Sequence, residues 1–322
     1  MKPATRLPPE VGLRSTLRAD RLTYRPKRRP LTARRLWRTL VPNLRSPIFL
    51  IGAPRSGTTF LGECISVLPE VSYHFEPLMT KAAVRHIHAD EWPLAAGQAL
   101  FRRVYRWLMR IHLDADLRFA EKTPRNSLIV SFLREAFPDA QFIHIIRDGR
   151  DVALSLSRKP WLRASTGESE TRTGGTDDHG HHAHFWVEKA RAAEFETTTD
   201  IHRCAWAWRH FTEAALAQSA GLPAGQYHEL RYESLVDQPQ QEADRLLDFL
   251  GINDPASRRV FCEAAAGARA TSVGGWRRSL SPAQVKQIED EAGPLLCTLG
   301  YPCPGIPDQD PCPAKTPPDQ AL

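Results

Sequence analysis

The stretch IFLIGAPRSGTTFLGE, residues 48–63, constrains the fold more than any other part of the sequence. Four apolar residues predict a buried strand, Gly52 and Gly57 bracket a short turn, and a helix is expected from Thr59. Glycine allows tight turns and close backbone approach, and the N–H groups at a helix N-terminus attract anions. The sequence therefore predicts a strand–loop–helix that wraps its backbone around a phosphate.

This loop lacks the lysine of nucleotide-triphosphate loops. The pattern G-x-x-x-x-G-K-[ST] would need Lys at position 58, where this chain has Thr58. Arg55, inside the loop, offers a guanidinium that can hold a phosphate with two parallel hydrogen bonds. We expect the backbone around Ser56–Thr59 to donate its N–H groups to the same anion, with hydroxyl donors from Thr58 and Thr59.

The rest of the chain alternates strand-like and helix-like segments. This order indicates an α/β fold of three layers, in which helices cover both faces of a central parallel sheet and ligands bind at the carboxyl ends of the strands. Strands are predicted over 47–51, 71–75, 141–146 and 226–231, and helices over 59–68, 94–111, 126–137, 151–157, 188–219, 238–250 and 282–299.

Charge and composition divide the 322 residues into three zones. Residues 1–46 form a basic arm with 13 Lys and Arg against two acidic residues, and include a candidate amphipathic helix that ends before Pro42. Residues 47–301 form the folded body, in which 165–183 is a polar insert. Residues 302–322 contain seven prolines and are expected to be disordered.

The six cysteines are scattered without C-x-x-C spacing, which argues against a zinc ribbon and fits a reducing compartment. No apolar run approaches the length of a membrane span, and no secretory signal is visible, so we expect a cytoplasmic protein. The insert carries histidines that could bind a metal, although a glycine-flanked polar run is more typical of a mobile loop. These histidines are His179, His181 and His182, with His184 just beyond.

A second phosphate-binding pattern occurs in FIHIIRDGRDVALSL. Arg147 ends a predicted strand and points into the crevice at its carboxyl end, and Ser155, eight residues on, can share the same phosphate from the following helix. The alternative is a structural ion pair between Arg147 and Asp148, with Ser155 as an ordinary helix residue. His144, in mid-strand, is expected to be a core histidine.

Together these segments resemble sulfotransferases that use 3′-phosphoadenosine-5′-phosphosulfate (PAPS). APRSGTTFL is similar to the loop that binds the 5′-phosphosulfate in that family, where Lys or Arg occupies the position of Arg55. The Arg147–Ser155 spacing is similar to the family's 3′-phosphate loop. The resemblance covers residues 47–301 and implies PAPS as sulfuryl donor with no metal required.

The resemblance extends to three outer segments. In EKTPRN, Lys122 takes the place of a family lysine that contacts the transferring group; otherwise it would pair on the surface with Glu121 or Asp139. In LRYESLVDQP, Tyr232 would lie near the adenine, or else belong to the core. In SVGGWRRSL, the resemblance implies that Arg277 closes over the 3′-phosphate and that Trp276 packs near the base.

The candidate catalytic residues come from the phosphate loop, from EKTPRN and from SYHFEP, residues 72–77. Arg55 would stabilise the leaving phosphate, and Lys122 would neutralise the sulfuryl oxygens. Glu76, which follows a predicted strand, is the favoured general base, with His74 as its rival. The alternative is that Glu76 is only a structural partner of Arg125.

We therefore expect transfer of a sulfuryl group to a hydroxyl, or an amine, of a carbohydrate, lipid or small natural product. A nucleotide kinase or hydrolase with a deviant loop is an alternative, and it would bind Mg²⁺ and ATP. A less favoured one is a protein that binds polyanions or a membrane surface through its basic arm. No nucleic-acid-binding motif is present, and weak peripheral membrane contact through the arm is a secondary expectation.

Overall fold

The computed structural model describes residues 11–27, 29–162 and 184–302. Its centre is a five-stranded sheet in the order β2-β3-β1-β4-β5, and every pair of neighbours is parallel. The strands are β1 Ile48–Ile51, β2 Val71–Phe75, β3 Arg118–Lys122, β4 Gln141–Ile146 and β5 Tyr227–Arg231.

Helices connect these strands and cover both faces of the sheet. The α-helices of the described residues are α1 Leu13–Thr23, α2 Ala33–Leu40, α3 Thr58–Ser66, α4 Leu78–His88, α5 Leu94–Ile111, α6 Val130–Ala136, α7 Gly149–Ser157, α8 Ala192–Thr197, α9 Asp200–Ser219, α10 Tyr232–Asp237, α11 Pro239–Leu250, α12 Pro255–Ala265, α13 Trp276–Ser279 and α14 Pro282–Thr298. Short 3-10 helices cover Pro124–Leu128, Pro160–Leu162, Lys189–Arg191 and Ala270–Ser272.

The central strand β1 shows how the two cores are separated. Alternate side chains of a strand point to opposite faces of the sheet. Phe49 and Ile51 belong to a core that includes α5, α9 and α14, whereas Ile48 and Leu50 belong to a second core under α3, α11 and α12. All four residues are fully buried. The predicted three-layer α/β/α fold is thus confirmed.

Several predicted elements match closely, and others were missed. The strands predicted over 71–75 and 141–146 and the helix over 94–111 have the predicted bounds. The helix predicted over 126–137 is instead the 3-10 helix Pro124–Leu128 followed by α6. β3 was not predicted, since RFAEK is rich in charged residues, although Glu121 and Lys122 are buried. Five helices were not predicted either, namely α1, α4, α10, α12 and α13.

The described part of the basic arm packs against the body. Asp20 of α1 is buried, with Oδ1 at 2.8 Å from Nδ1 of His74 and Oδ2 at 2.5 Å from Nε2 of His112. Burial alone would raise the pKa of Asp20, but hydrogen bonds from His112 and His74 lower it to about 2. The helix predicted before Pro42 is present as α2, and its Arg35 donates to the carbonyl of Leu113 at 2.7 Å.

Several sequence expectations lie outside the described residues, namely the polar insert 165–183 with its His179, His181 and His182, and the tail beyond residue 302. Of the cysteines that are described, Cys64, Cys204 and Cys262 are free. Cys297 is disulfide-bonded, which does not match the reducing compartment expected from the sequence. Among the described helices, none has the length and apolar character needed to cross a bilayer.

Candidate active site

The predicted phosphate loop links β1 to α3, and two glycines fix its path. Gly52 has φ 144°, and a Cβ there would lie 2.4 Å from the carbonyl oxygen of Ile145 on β4. Gly57 has φ 102°, and a Cβ there would lie 2.6 Å from Cδ2 of Tyr232. Both positions therefore require glycine, because a side chain would be strained and would also collide with a neighbour.

The loop presents unsatisfied donors at the start of α3. The helix begins at Thr58, one residue earlier than predicted, and its N-cap Gly57 supplies no side-chain acceptor for the first N–H groups. Ser56 Oγ is buried and has no hydrogen-bond partner within the described residues. Thr59 is exposed, whereas Thr58 is buried and turned toward Gly52. Orphaned donors at a helix N-terminus suit an anionic group such as a phosphate.

Two arginines from different segments meet at this loop. Arg55 has φ 73°, and its Nε donates to Ser155 Oγ at 3.2 Å. Arg147 Nη1 donates to the carbonyl oxygen of Arg55 at 3.2 Å. Burial, and then the positive charge of Arg147, lowers the pKa of Arg55. No carboxylate of the described residues forms an ion pair with Arg55, so the two cations lie together at a place where an anion would be stabilised.

Arg147 also ties β4 to the segment before α13. Its guanidinium donates to the carbonyl oxygen of Ser272, and its Nε is buried without a partner among the described residues. Asp151 on α7 accepts the N–H of Gly274 at 2.7 Å and that of Trp276 at 3.0 Å. Asp148 pairs with Arg150 at 2.9 Å, and the carboxylate nearest to Arg147 is that of Asp151 at 4.0 Å, so the alternative pairing of Arg147 with Asp148 is not what the structure shows.

The aromatic residues expected near the base lie at different depths. Tyr232 belongs to the core under α3, α11 and α12, which was the alternative left open for it. It lies against Gly57, and the guanidinium carbon of Arg147 lies 5.1 Å from its ring centre. The ring of Trp276 contacts the guanidinium carbons of Arg150 at 4.2 Å and of Arg277 at 4.6 Å. Its Nε1 is buried without a partner in the described part of the chain. The structure thus adds Arg150 to the surroundings of Trp276, a neighbour that the sequence did not predict.

A lysine–glutamate–lysine cluster lies beside the loop. The ammonium group of Lys122 donates to Oε1 of Glu76 and lies 3.8 Å from the ring centre of Phe75. Lys81 on α4 lies 2.9 Å from Oε2 of Glu76. Burial alone would raise the pKa of Glu76, but the charges of Lys81 and Lys122 lower it to about 2. Sequence reasoning missed Lys81, which is one helical turn beyond the Pro77 that follows Glu76.

The alternative partners expected for Lys122 and for Glu76 are not found in the structure. Glu121 faces the other side of β3, where its Oε1 accepts hydrogen bonds from Tyr105 and Asn126, each at 2.5 Å. Lys122 therefore pairs with Glu76 and not with Glu121. Glu76 pairs with Lys81 and Lys122, whereas the guanidinium carbon of Arg125 lies 5.2 Å from the ring centre of Phe185.

The two histidines that the sequence placed in strands, His74 and His144, are both buried. His74 is held by Asp20 on one ring nitrogen and by Ser72 Oγ, at 3.1 Å, on the other. These contacts use both nitrogens, which leaves Glu76 as the candidate base. His144 contacts the hydroxyl of Tyr227 at 2.8 Å, and burial lowers its pKa to about 3, as expected of a core histidine.

Sheet topology brings these groups together. β1 lies between β3 and β4, with Leu50 opposite Lys122 and Ile51 opposite His144. The loop after β1 is therefore flanked by Lys122 at the end of β3 and by Arg147 just past the end of β4. The site is the crevice at the carboxyl edge of a parallel sheet, where ligands of such folds bind.

This fold and this lysine-free anion loop define a protein of the P-loop-like α/β class. The sequence matches the model of the Sulfotransferase family over residues 47–198 and 181–256, and the chain belongs to that family.

Two relatives and one solved structure illustrate the match. The nodulation protein NoeE of Sinorhizobium fredii is 27% identical over 293 residues, covering 79% of this chain and 65% of the relative. Carbohydrate sulfotransferase 7 of Mus musculus is 31% identical over 212 residues, or 55% of this chain and 42% of the relative. The chain thus spans less than two thirds of the length of either. The sulfotransferase domain from the curacin biosynthetic pathway has the same fold, with a TM-score of 0.51 at 16% identity, covering 81% of this chain and all of that domain.

Proposed function

We propose that this protein transfers a sulfuryl group from PAPS to a hydroxyl group of an acceptor. The observation that supports the proposal is the contact between Arg147 and Arg55 at the loop after β1, where the guanidinium of Arg147 donates to the carbonyl oxygen of Arg55. Buried donors at Ser56 and Arg147 lack partners there among the described residues, which suits a ligand with two separate anionic groups. Membership of the Sulfotransferase family supports the same chemistry.

In this proposal the donor's 5′ end is held by the loop. The amides around Ser56–Thr59 and the guanidinium of Arg55 would bind the 5′-phosphosulfate. Arg147 and Ser155 would bind the 3′-phosphate, with Arg277 closing over it from α13. Tyr232 and Trp276 would line the space for the adenine.

PAPS, when bound, supplies a sulfuryl group whose sulfur–oxygen bond to the 5′-phosphate breaks as a new bond forms to the acceptor oxygen. Arg55 and the loop amides would stabilise the charge that develops on the leaving phosphate. Lys122 lies opposite Leu50, the next-to-last residue of β1, and from there it would neutralise the sulfuryl oxygens. Fixed charges of this kind account for much of the catalysis in related transfers between oxygens.

Glu76 would take the proton of the acceptor hydroxyl. With two ammonium groups beside it, Glu76 is ionised at neutral pH but is a weak base, because its pKa is about 2. If Lys122 moves toward the donor, one of these charges is withdrawn and the pKa of Glu76 rises. Binding of the donor would in this way strengthen the base just before transfer.

The acceptor class is inferred from the chemistry and from the relatives. A carbohydrate acceptor is named for the mouse relative, and hydroxyl groups of lipids or small natural products present the same nucleophile. We propose that the protein works in the cytoplasm and needs no metal. Asp148, the acidic residue that follows β4, already caps α7 and binds Arg150 with both oxygens, which disfavours the alternative of a Mg²⁺-dependent kinase.

Calorimetry with 3′,5′-adenosine bisphosphate tests the proposal against the kinase alternative. We expect tight binding of the bisphosphate that EDTA does not change, and weak binding of ATP with or without Mg²⁺. Tighter binding of Mg²⁺ and ATP would contradict the proposal and would favour the kinase.

A further inference from the structure

Exposed apolar side chains are concentrated near the start of the described chain. Leu31, Leu36, Trp37, Leu40 and Val41 lie on and beside α2, and Trp37 is 68% exposed. Residues 36, 37, 40 and 41 share one side of a helix. We call these five residues the α2 face. The other large apolar side chains that the described residues expose are Leu13, Leu22, Leu94 and Leu113.

The arm that carries the α2 face is rich in arginine, and the nearby Asp114 and Asp116 pair with Arg35 and Arg29. The only acidic residue among the described residues 11–46 is Asp20, which is buried and bound to two histidines. Arg110 on α5 donates to the carbonyl oxygens of Thr39 and Leu40 at 2.8 and 2.9 Å, and so lies directly beside the face. Further exposed arginines on α1, α5 and the connecting segments are Arg14, Arg18, Arg21, Arg25, Arg45, Arg103 and Arg106.

The α2 face lies at the opposite edge of the sheet from the candidate active site. Arg35 of α2 contacts the carbonyl of Leu113, in the loop that leads into β3. The N–H of Asn43, just after α2, donates to the carbonyl of Ala115 in the same loop at 2.8 Å. Both contacts are at the amino ends of the strands. Strands of four to six residues rise about 3.3 Å per residue, so this edge is roughly 15 Å from the carboxyl edge.

We propose that the α2 face docks the protein onto the surface of an anionic lipid bilayer. A short helix with an exposed aromatic and leucine surface beside arginines has the composition of helices that lie in the membrane interface. Tryptophan is favoured at that depth, and the arginines complement anionic headgroups. Docking through this face turns the carboxyl edge of the sheet, with Arg55 and Lys122, toward the water.

Membrane docking through the α2 face does not depend on sulfuryl transfer, but it restricts where the donor and the acceptor can come from. A docked protein receives its donor and acceptor from the aqueous side, and the bilayer does not cover the site. Acceptors whose hydroxyl is dissolved in water or projects well beyond the headgroups fit this arrangement.

Vesicle flotation of the full chain tests the proposal. We expect binding to vesicles of equal parts phosphatidylglycerol and phosphatidylcholine, and little binding to phosphatidylcholine alone. The double variant Trp37→Glu, Leu40→Glu should lower the partition coefficient at least about tenfold, because interfacial binding scales with the apolar area inserted. Leu94→Glu is the matched control, since Leu94 is 49% exposed at the start of α5 and should tolerate the change without loss of binding.

Two results would overturn the assignment. Failure of the wild-type chain to float with anionic vesicles, or equal flotation of the double variant, would show that apolar insertion by the α2 face is not used. A wild-type dimer in sedimentation that dissociates in the double variant would assign the face to a second copy of this chain.

The orientation is tested separately with 3′,5′-adenosine bisphosphate. Its affinity, measured calorimetrically, should be unchanged when the protein is bound to anionic vesicles, and a loss of affinity on the vesicles would contradict the outward-facing site. If the bisphosphate fails to bind even without vesicles, only the proposed enzymatic function is affected, because flotation requires no nucleotide.

Discussion

Lys122 and Glu76 are linked twice, once through their side chains and once through their backbones. The ammonium group of Lys122 donates to Oε1 of Glu76, and the N–H of Glu76 donates to the carbonyl oxygen of Lys122 at 3.0 Å. Glu76 has φ 43°, an uncommon value for a residue with a side chain. The chain after β2 thus turns over the end of β3 and sets the candidate base against the candidate cation.

Glu76→Gln should remove most of the turnover and leave nucleotide affinity intact. The amide keeps the shape of the carboxyl group but cannot accept the acceptor's proton, and general bases contribute about 10²–10⁴-fold. Transfer from radiolabelled PAPS to a panel of carbohydrate and small-molecule hydroxyls measures the first effect, and calorimetry with the bisphosphate measures the second. Glu63→Gln, an exposed change on α3, is the control. If Glu76→Gln keeps its turnover, Glu76 is not the general base.

Lys81→Met should raise the pKa of Glu76 and change how stability depends on pH. The folded pKa of about 2 lies below the ordinary value of 4.5, so Glu76 stabilises the fold above about pH 4.5 and loses this contribution as the pH falls toward 2. Without the charge of Lys81 the folded pKa moves up, and this contribution shrinks. The difference in unfolding free energy between wild type and variant should therefore be largest above pH 4.5 and decrease at lower pH.

Urea unfolding over this pH range provides the measurement. Lys286→Met is the matched control, because Lys286 pairs with Asp290 in an exposed pair on α14. A difference between wild type and Lys81→Met that does not change with pH would mean that Lys81 does not set the pKa of Glu76.

Arg147→Ala should raise the apparent KM for PAPS by about ten- to hundredfold, because the substitution removes hydrogen bonds from a charged group. Turnover at saturating donor should fall much less, since Arg147 is assigned to the 3′-phosphate and not to the sulfuryl group. Initial rates over a range of PAPS concentrations separate the two parameters. Arg158→Ala, an exposed change just past α7, is the control, and an unchanged KM in Arg147→Ala would count against the 3′-phosphate role.

Gly57→Ala should weaken bisphosphate binding at the loop. The new methyl group would lie 2.6 Å from Cδ2 of Tyr232 at a positive φ, so the backbone must move and the loop amides lose their alignment. Strain of this kind costs about 1–3 kcal/mol, and we expect at least a tenfold loss of affinity in calorimetry. Gly225→Ala, where a Cβ would meet nothing within 4 Å, is the control. Equal affinities for the two variants would show that the loop tolerates a side chain.

The sequence was sufficient for features whose signal is local. Apolar runs predicted β1, β2 and β4, and helical periodicity predicted α5, because burial on one face or both leaves a regular pattern. The glycines that fix the loop after β1, and Arg55 and Arg147 that contact each other there, were also visible, since each belongs to a short pattern along one segment. The phosphate contacts of these residues stay a prediction. The family resemblance drawn from these residues was confirmed.

Only the tertiary structure decided how distant residues pair. β3 was missed because its buried charged residues find their partners on other segments, Lys122 on Glu76 after β2 and Glu121 on Tyr105 of α5. Lys81 joins the cluster from α4, and Asp20 joins His74 from the arm, through contacts that no local pattern encodes. A local pattern records which face of a segment is buried, but the partner of a buried charge is chosen by packing, because it must lie within hydrogen-bond distance in three dimensions.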